Sequence, residues 1–447
     1  MDLGKRLSSD SHAASRFRRF STSGYLTPIL VALFCAIFLF AAHEAHRGNY
    51  TRIRSHVIPA NLQPPLPTGP GGQDAVILRR NPTAIGGEPE LISATLLPGR
   101  GMNVLQITAS VPGRGEVPLL VAPSLSDASR ILTGSGDDAN GSVSATCGAA
   151  VLAPWAGRLT GSPTSSSSTL ESIWQGQRIT FPPSRPGATV STLGMLLDLA
   201  SDNLGTDSVP EGQAVSALYH AGSFSGQWPS MTDVTIRAEL AGRSFDLTVT
   251  EHNTGQVPMP AGIGWHPVFA LPGNRSDVRL TIPSITRVDV DHRTGLPSGK
   301  LTSTVGTPID FIHARGTPLG DIGLNDTFTE LQSGILGDGP IVEIRNLTAG
   351  YGLRLTPLTN SIKFLRVIAP NGQSWISVEP DTNVDDPLGH QWTGQAQTGL
   401  VTLQPGESLQ WHVRLEIFSL RLPDTGPGSS ARNSTSSFTI TPSSNIP

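Results

Sequence analysis

From residue 76 to residue 419 the chain is a succession of short apolar segments, each cut off by turn residues. Glycine and proline do most of the cutting: there are 48 Gly and 37 Pro. Proline removes a backbone donor and glycine weakens helix interiors, so helices are excluded as the main architecture. Several segments alternate apolar and polar residues with the two-residue period of a half-buried strand. They are Val234 to Leu240, Phe245 to Thr250, Val278 to Ile282, Val342 to Arg345 and Leu409 to Ile417. In the last, Leu409, Trp411, Val413, Leu415 and Ile417 face one side, and Gln410, His412, Arg414 and Glu416 the other. That is the pattern of an antiparallel strand with one face on a core. Many such strands over this length predict an all-β fold, a large sandwich of antiparallel sheets. Two stretches break the pattern. Thr160 to Thr169 reads as a Ser/Thr-rich loop, and Thr192 to Leu204 as a short helix with Leu193, Leu196, Leu197 and Leu199 apolar.

The ends of the chain read differently. Ile29 to Ala42 is continuously apolar, and no charged residue falls between Ser21 and Ala42. About 20 helical residues at about 1.5 Å each span roughly 30 Å, the thickness of a bilayer core. Lys5, Arg6, Arg16, Arg18 and Arg19 precede the run, which places the N-terminus in the cytoplasm and the bulk of the chain outside. Arg47, Arg52 and Arg54 after it pull the other way. A cleaved signal peptide is the alternative, and either reading exports the domain. The expected organisation is a basic tail (1–20), a transmembrane anchor (21–43), a Pro/Gly-rich linker (44–75), the β-sandwich domain (76–419) and a disordered tail (420–447). The domain then lies on the periplasmic or extracellular side.

Composition narrows the chemistry. The formal net charge is −4, which gives no reason to expect a nucleic-acid partner. Cys35 and Cys147 are the two cysteines, far apart in sequence, which excludes a metal site built on cysteine.

Two segments are candidates for reactive chemistry. The first is E-H-N-T-G-Q-V-P-M-P-A-G-I-G-W-H-P-V-F, Glu251 to Phe269, in which Gly and Pro residues lead into Trp265-His266-Pro267. An imidazole held by such rigid neighbours is suited to proton transfer near neutral pH. The same residue also fits a structural role, donating to a backbone carbonyl. The second is W-I-S-V-E-P-D-T-N, Trp375 to Asn383. Glu379 comes at a strand end, just before Pro380 breaks the ladder. A carboxylate there either faces a cleft as a general base or is a solvated surface group.

These segments, together with A-P-W-A-G-R-L (Ala153 to Leu159) and G-L-N-D-T-F (Gly323 to Phe328), resemble the aldose 1-epimerase (galactose mutarotase) family. The family's hallmarks are G-x-x-H-P-Y-F and, much later, E-P-x-T; this chain has G-I-G-W-H-P-V-F and V-E-P-D-T in that order. N-T-G-Q-V-P-M-P resembles the family's lead-in to the histidine. The resemblance implies a galactose mutarotase-like supersandwich. It also implies that His266 is the general acid, Glu379 the general base and Arg158 a substrate-binding arginine. The family's sugar-binding aspartate falls on Asn325 or Asp326, with Asp326 the preferred register. A second family histidine, in H-G-x-x-R-x-x-x-W, falls on His220 of H-A-G-S-F-S-G-Q-W; the spacing to Trp228 is kept, but Ala221 and Phe224 replace the glycine and arginine.

The implied reaction opens a cyclic hemiacetal and recloses it on the other face of C1. Glu379 takes the proton of the C1 hydroxyl and His266 gives one to the ring oxygen, with no cofactor or metal required. Arg158, His220 and Asp326 then hold sugar hydroxyls, and Trp265 or Trp228 either stacks on the pyranose or packs the core. The scheme expects His266 and Glu379 on opposite sides of the ring, across a pocket one sugar wide. Two alternatives stay open. One is a carbohydrate-binding module without catalysis, favoured by the altered His220 segment. The other is a different carbohydrate-active enzyme using Asp381, Asp385 or Asp386 as a second carboxylate. A phosphorylated sugar would need a basic patch, and none is concentrated in 76–419.

Overall fold

Alternating apolar residues build two large antiparallel sheets whose inner faces share one core. The computed structural model describes residues 69–80, 87–165, 169–334, 339–392 and 398–420. The basic tail, the anchor, most of the linker and nearly all of the C-terminal tail lie outside these residues. Among the described residues no helix is long and apolar enough to cross a membrane.

The first sheet has eleven strands. Its path runs Val76–Arg79, Glu90–Leu97, Asn103–Val111, Ala149–Leu152, Gly264–Ala270, Trp375–Asp381, Phe364–Ala369, Leu324–Thr329, Thr286–Val290 and Pro297–Ser303, and Gly115–Pro118 pairs off Asn103–Val111. The second sheet has nine strands, in the order Asn203–Val209, Gly212–Gly222, Thr232–Ala241, Ser244–Asn253, Ser408–Ser419, Tyr351–Pro357, Val342–Asn346, Val278–Thr281 and Thr317–Pro318. All five strands expected from alternation are present. The one at Ser408–Ser419 lies mid-sheet, flanked by Ser244–Asn253 and Tyr351–Pro357. Its odd-numbered residues Leu409, Trp411, Val413, Leu415 and Ile417 are buried in the same cluster as Phe245, Leu247 and Val249 of its neighbour. Burial of one such aliphatic side chain is worth about 1.5–3 kcal/mol, so this pair of strands anchors the second sheet.

The short helix expected over Thr192 to Leu204 is corrected to a single 3₁₀ turn, Leu196–Asp198, followed by a strand from Asn203. Leu193 has φ 67° and Gly194 φ 75°, left-handed conformations that no helix accommodates. Leu196 and Leu197 are instead buried under the first sheet's loops, beside a fully buried Arg100. Arg100 donates to Asp138, Asp198 and Ser144, which ties down the long connection between Asn103–Val111 and Ala149–Leu152.

Candidate active site

Strand parity assembles the reactive residues. Residues abreast in an antiparallel pair point to the same face. Glu379 lies abreast of Arg366, and Arg366 abreast of Thr327. The next strand sets Val268 against Ser377. Two residues along the same register, His266 comes abreast of Glu379. Ile376, Val378, Leu365 and Val367 alternate with this row and point into the core. His266, Glu379, Arg366 and Thr327 therefore form one row across four strands, on the face away from the core, at the inter-strand spacing of about 4.8 Å.

His266 and Glu379 converge, but not across a gap. His266 Nδ1 lies 2.8 Å from Glu379 Oε1. The expectation of a sugar-wide space between them is corrected, because side chains abreast on adjacent strands meet directly. Ser377, in the neighbouring row, donates from Oγ to Glu379 Oε1 at 3.3 Å and sits 3.4 Å from His266 Nδ1. The imidazole is 13% exposed and the carboxylate 0%. The pair thus shows its histidine to the outside and keeps its glutamate beneath.

A chain of alternating charge continues behind the pair. Arg366 Nη1 is 3.9 Å from Glu379 Oε2 and 3.6 Å from Asp385 Oδ1. Asp385 in turn accepts from Arg158 Nε at 2.9 Å, Arg158 Nη2 at 2.7 Å and the Arg158 backbone N–H at 2.9 Å. Burial alone would push the Glu379 carboxyl up. The charges of His266 and Arg366 outweigh it and hold the group below the ordinary glutamate value. Asp385 is likewise held low, because Arg366 and Arg158 overcome its burial. Asp381 goes the other way: burial and the nearby Glu379 charge raise it well above the usual aspartate range. It is packed so closely on Gly264 that a Cβ there would lie 2.2 Å from Asp381 Oδ1, which explains the glycine.

The other residues singled out from sequence fall as follows. Arg158 joins the network but is committed to Asp385 and to the Gly295 carbonyl. Asn325 lies on the same face as the row, and Arg366 Nη2 approaches its Oδ1 at 3.4 Å. Asp326 shares the opposite parity with core residues Leu324 and Phe328 and pairs with Arg287. Asn325, and not Asp326, therefore shares the face of His266 and Glu379. His220 does not join the row. It sits on a different sheet, between buried Tyr219 and Ala221, so its side chain faces outward and pairs with Asp233 at 2.9 Å. Trp265 and Trp228 are both buried, and Trp228 stacks on Trp155 with centroids 5.4 Å apart. Asp386 accepts from Thr160 and Gln391, and Asp385 from Arg158, so neither is a free second carboxylate.

Arg366 was missed in the sequence, where it reads as one charge in a strand; only its register against Glu379 reveals it. A cavity of about 1100 Å³ opens one row along the same face, lined in part by Thr329, Phe364, Val288 and Trp392. Phe364 is abreast of Asp381, so the cavity begins beside the charged row and does not cover it.

Comparison with known proteins agrees with the resemblance drawn from the motifs. Residues 205–416 match the family model described as aldose 1-epimerase. That span includes His220, His266, Asn325, Asp326 and Glu379, and leaves Arg158 outside. A galactose mutarotase-like protein from Clostridium acetobutylicum is 16% identical, with 77% of this chain and 98% of that chain covered and a TM-score of 0.61. An aldose epimerase homologue from C. elegans is 15% identical, covering 74% of this chain and 97% of that one, TM-score 0.55. A putative aldose 1-epimerase from Escherichia coli K12 is 18% identical, covering 75% of this chain and 100% of that one, TM-score 0.54. At these identities the likeness is one of fold. No curated protein sequence matches the chain.

Proposed function

We propose that this chain is an aldose 1-epimerase acting on a free hexose, with Glu379 as general base and His266 as general acid. The observation that carries the reading is the 2.8 Å contact between the partly exposed imidazole and the buried carboxylate. The oxygens to be served, the C1 hydroxyl and the ring oxygen, are both bonded to C1. They are geminal, so two groups side by side reach them and groups on opposite sides of the ring are not needed. When the C1 edge of the sugar enters, the C1 hydroxyl donates to Glu379 in place of the His266 N–H, and the imidazole donates to the ring oxygen.

The step balances. Glu379 accepts the proton of the C1 hydroxyl, the C1–ring-oxygen bond breaks, and His266 in its protonated form donates to the ring oxygen. The products are the open-chain aldehyde, a neutral Glu379 and a neutral imidazole. Rotation about the C1–C2 bond presents the other carbonyl face, and the reverse transfers close the ring and restore both groups. Asn325, on the same face as the row, offers hydrogen bonds to hydroxyl groups further round the ring.

The orientation read from the basic N-terminal residues puts this reaction outside the cytoplasmic membrane. Polarimetry on freshly dissolved α-aldoses tests the activity: the wild type speeds the approach to the anomeric equilibrium, and Glu379→Gln abolishes the effect. An unaltered rate across a panel of aldoses overturns the reading.

One observation favours a second reading, a carbohydrate-binding module. Glu379 exposes none of its side chain, and neither residue of the pair lines the cavity of about 1100 Å³. Calorimetric binding of an aldose with no acceleration selects that alternative.

A further inference from the structure

We infer that Arg366 is the positioning residue of this site: with Asp385 it fixes the orientation and charge of Glu379 toward His266 and links the pair to Arg158. The inference deepens the epimerase reading and rests on it for its catalytic meaning. Its electrostatic content stands on geometry alone.

The argument starts from what surrounds Glu379. His266 faces it from the neighbouring strand, Arg366 from the strand on its other side, Asp381 from its own strand and Asp385 from the connection that follows. Ser377 supplies one neutral hydrogen bond. If Arg366 is removed, the buried carboxylate keeps the charge of Asp385 beside it and one histidine. A proton on the carboxylate then becomes the cheaper way to neutralise it, and a protonated Glu379 accepts nothing from a substrate. Arg366 also has one geometry in which to act. Its side chain is 12% exposed, and its Nη1 sits between Glu379 and Asp385, at 3.9 and 3.6 Å. Asp385 is itself held by three hydrogen bonds from Arg158. The order Arg158, Asp385, Arg366, Glu379, His266 alternates in sign along its whole length, so each group is stabilised by its neighbours. In this order Arg158 is the outer end of the support for the base.

The test is a titration of Glu379 in the full-length chain, labelled with ¹³C in the glutamate carboxyls and assigned by the signal lost in Glu379→Gln. In Arg366→Met the midpoint moves up by about 1–3 pH units, the usual effect of one opposite charge at this range. In Arg366→Lys, which keeps the charge, it returns most of the way. In Asp385→Asn it moves down, because a negative neighbour of Glu379 is gone. A merely structural arginine gives no such pattern of signs. Equal midpoints in the wild type and Arg366→Met overturn the inference. If Arg366→Met does not fold, Arg366→Gln is titrated in its place: an upward midpoint supports the inference, and no shift overturns it. The rate measurements are separate. With an active wild type, the acid limb of kcat follows the titration and KM stays within about twofold. An inactive wild type sinks the epimerase reading and leaves the titration to judge Arg366.

Discussion

Two glutamates of this chain are equally hidden, yet their carboxyls are pushed in opposite directions. Glu251 faces the core from its strand, in line with Phe245, Leu247 and Val249, and is abreast of Val234 and Leu409. Neither of its carboxylate oxygens makes a fully formed hydrogen bond, and the Gly262 backbone N–H is its one weak donor. Burial pushes its carboxyl well above the ordinary value, with only the Gly262 backbone N–H acting against it. Glu379 is also fully buried, yet it is held low by His266 and Arg366. Depth is the same, so depth does not decide the charge. The decision belongs to the neighbours: apolar side chains cannot stabilise an anion, and a row of opposite charge on adjacent strands can.

The largest effect expected from breaking this contrast is on rate. Glu379→Gln lowers the epimerase rate constant by about 10²–10⁴-fold, whereas Glu251→Gln leaves it unchanged, both read by polarimetry. Equal losses from the two substitutions would show that burial and not charge is what matters. Next comes stability. Asp385→Ala strands Arg158 and Arg366 and costs about 3–5 kcal/mol in urea unfolding, the penalty for breaking a buried ionic network. A smaller effect is on pH dependence. Above 4.5, the ordinary glutamate value, unfolded Glu251 releases its proton while the folded protein retains it. Folding stability therefore falls with rising pH up to the raised value, by at most about 1.4 kcal/mol per pH unit. Glu251→Gln removes that slope, measured as the difference between the two stability-versus-pH curves. The smallest effect is on the outer face of the second sheet, where Arg414 pairs with Asp246 and is 45% exposed. Arg414→Ala costs about 0–1 kcal/mol in the same unfolding assay, because water screens the pair.

How much of this was legible in the sequence follows from strand geometry. Alternation revealed the five strands, since one face of each is buried. His266 and Glu379 were legible as motifs because Gly264 and Pro267 bracket the first and Pro380 follows the second. Their mutual contact was not, because it depends on which strands are adjacent. Asn325, Asp326 and His220 show the same limit. The family resemblance implied all three as site residues, but parity decides which face each takes. For His220 the signal was present in Ala217-Leu218-Tyr219-His220-Ala221: apolar residues at every second position leave the histidine pointing out. Arg366 carried no motif, because its meaning is its register against Glu379.

The strand Ser408–Ser419 has a consequence for how the molecule is made. It is the seam of the second sheet, with Ser244–Asn253 on one side and Tyr351–Pro357 on the other. A ribosome adding about 5–20 residues per second releases the first flank on the order of ten to thirty seconds before that seam. Throughout that interval the nascent chain carries an open apolar edge, the kind of surface that cellular chaperones bind.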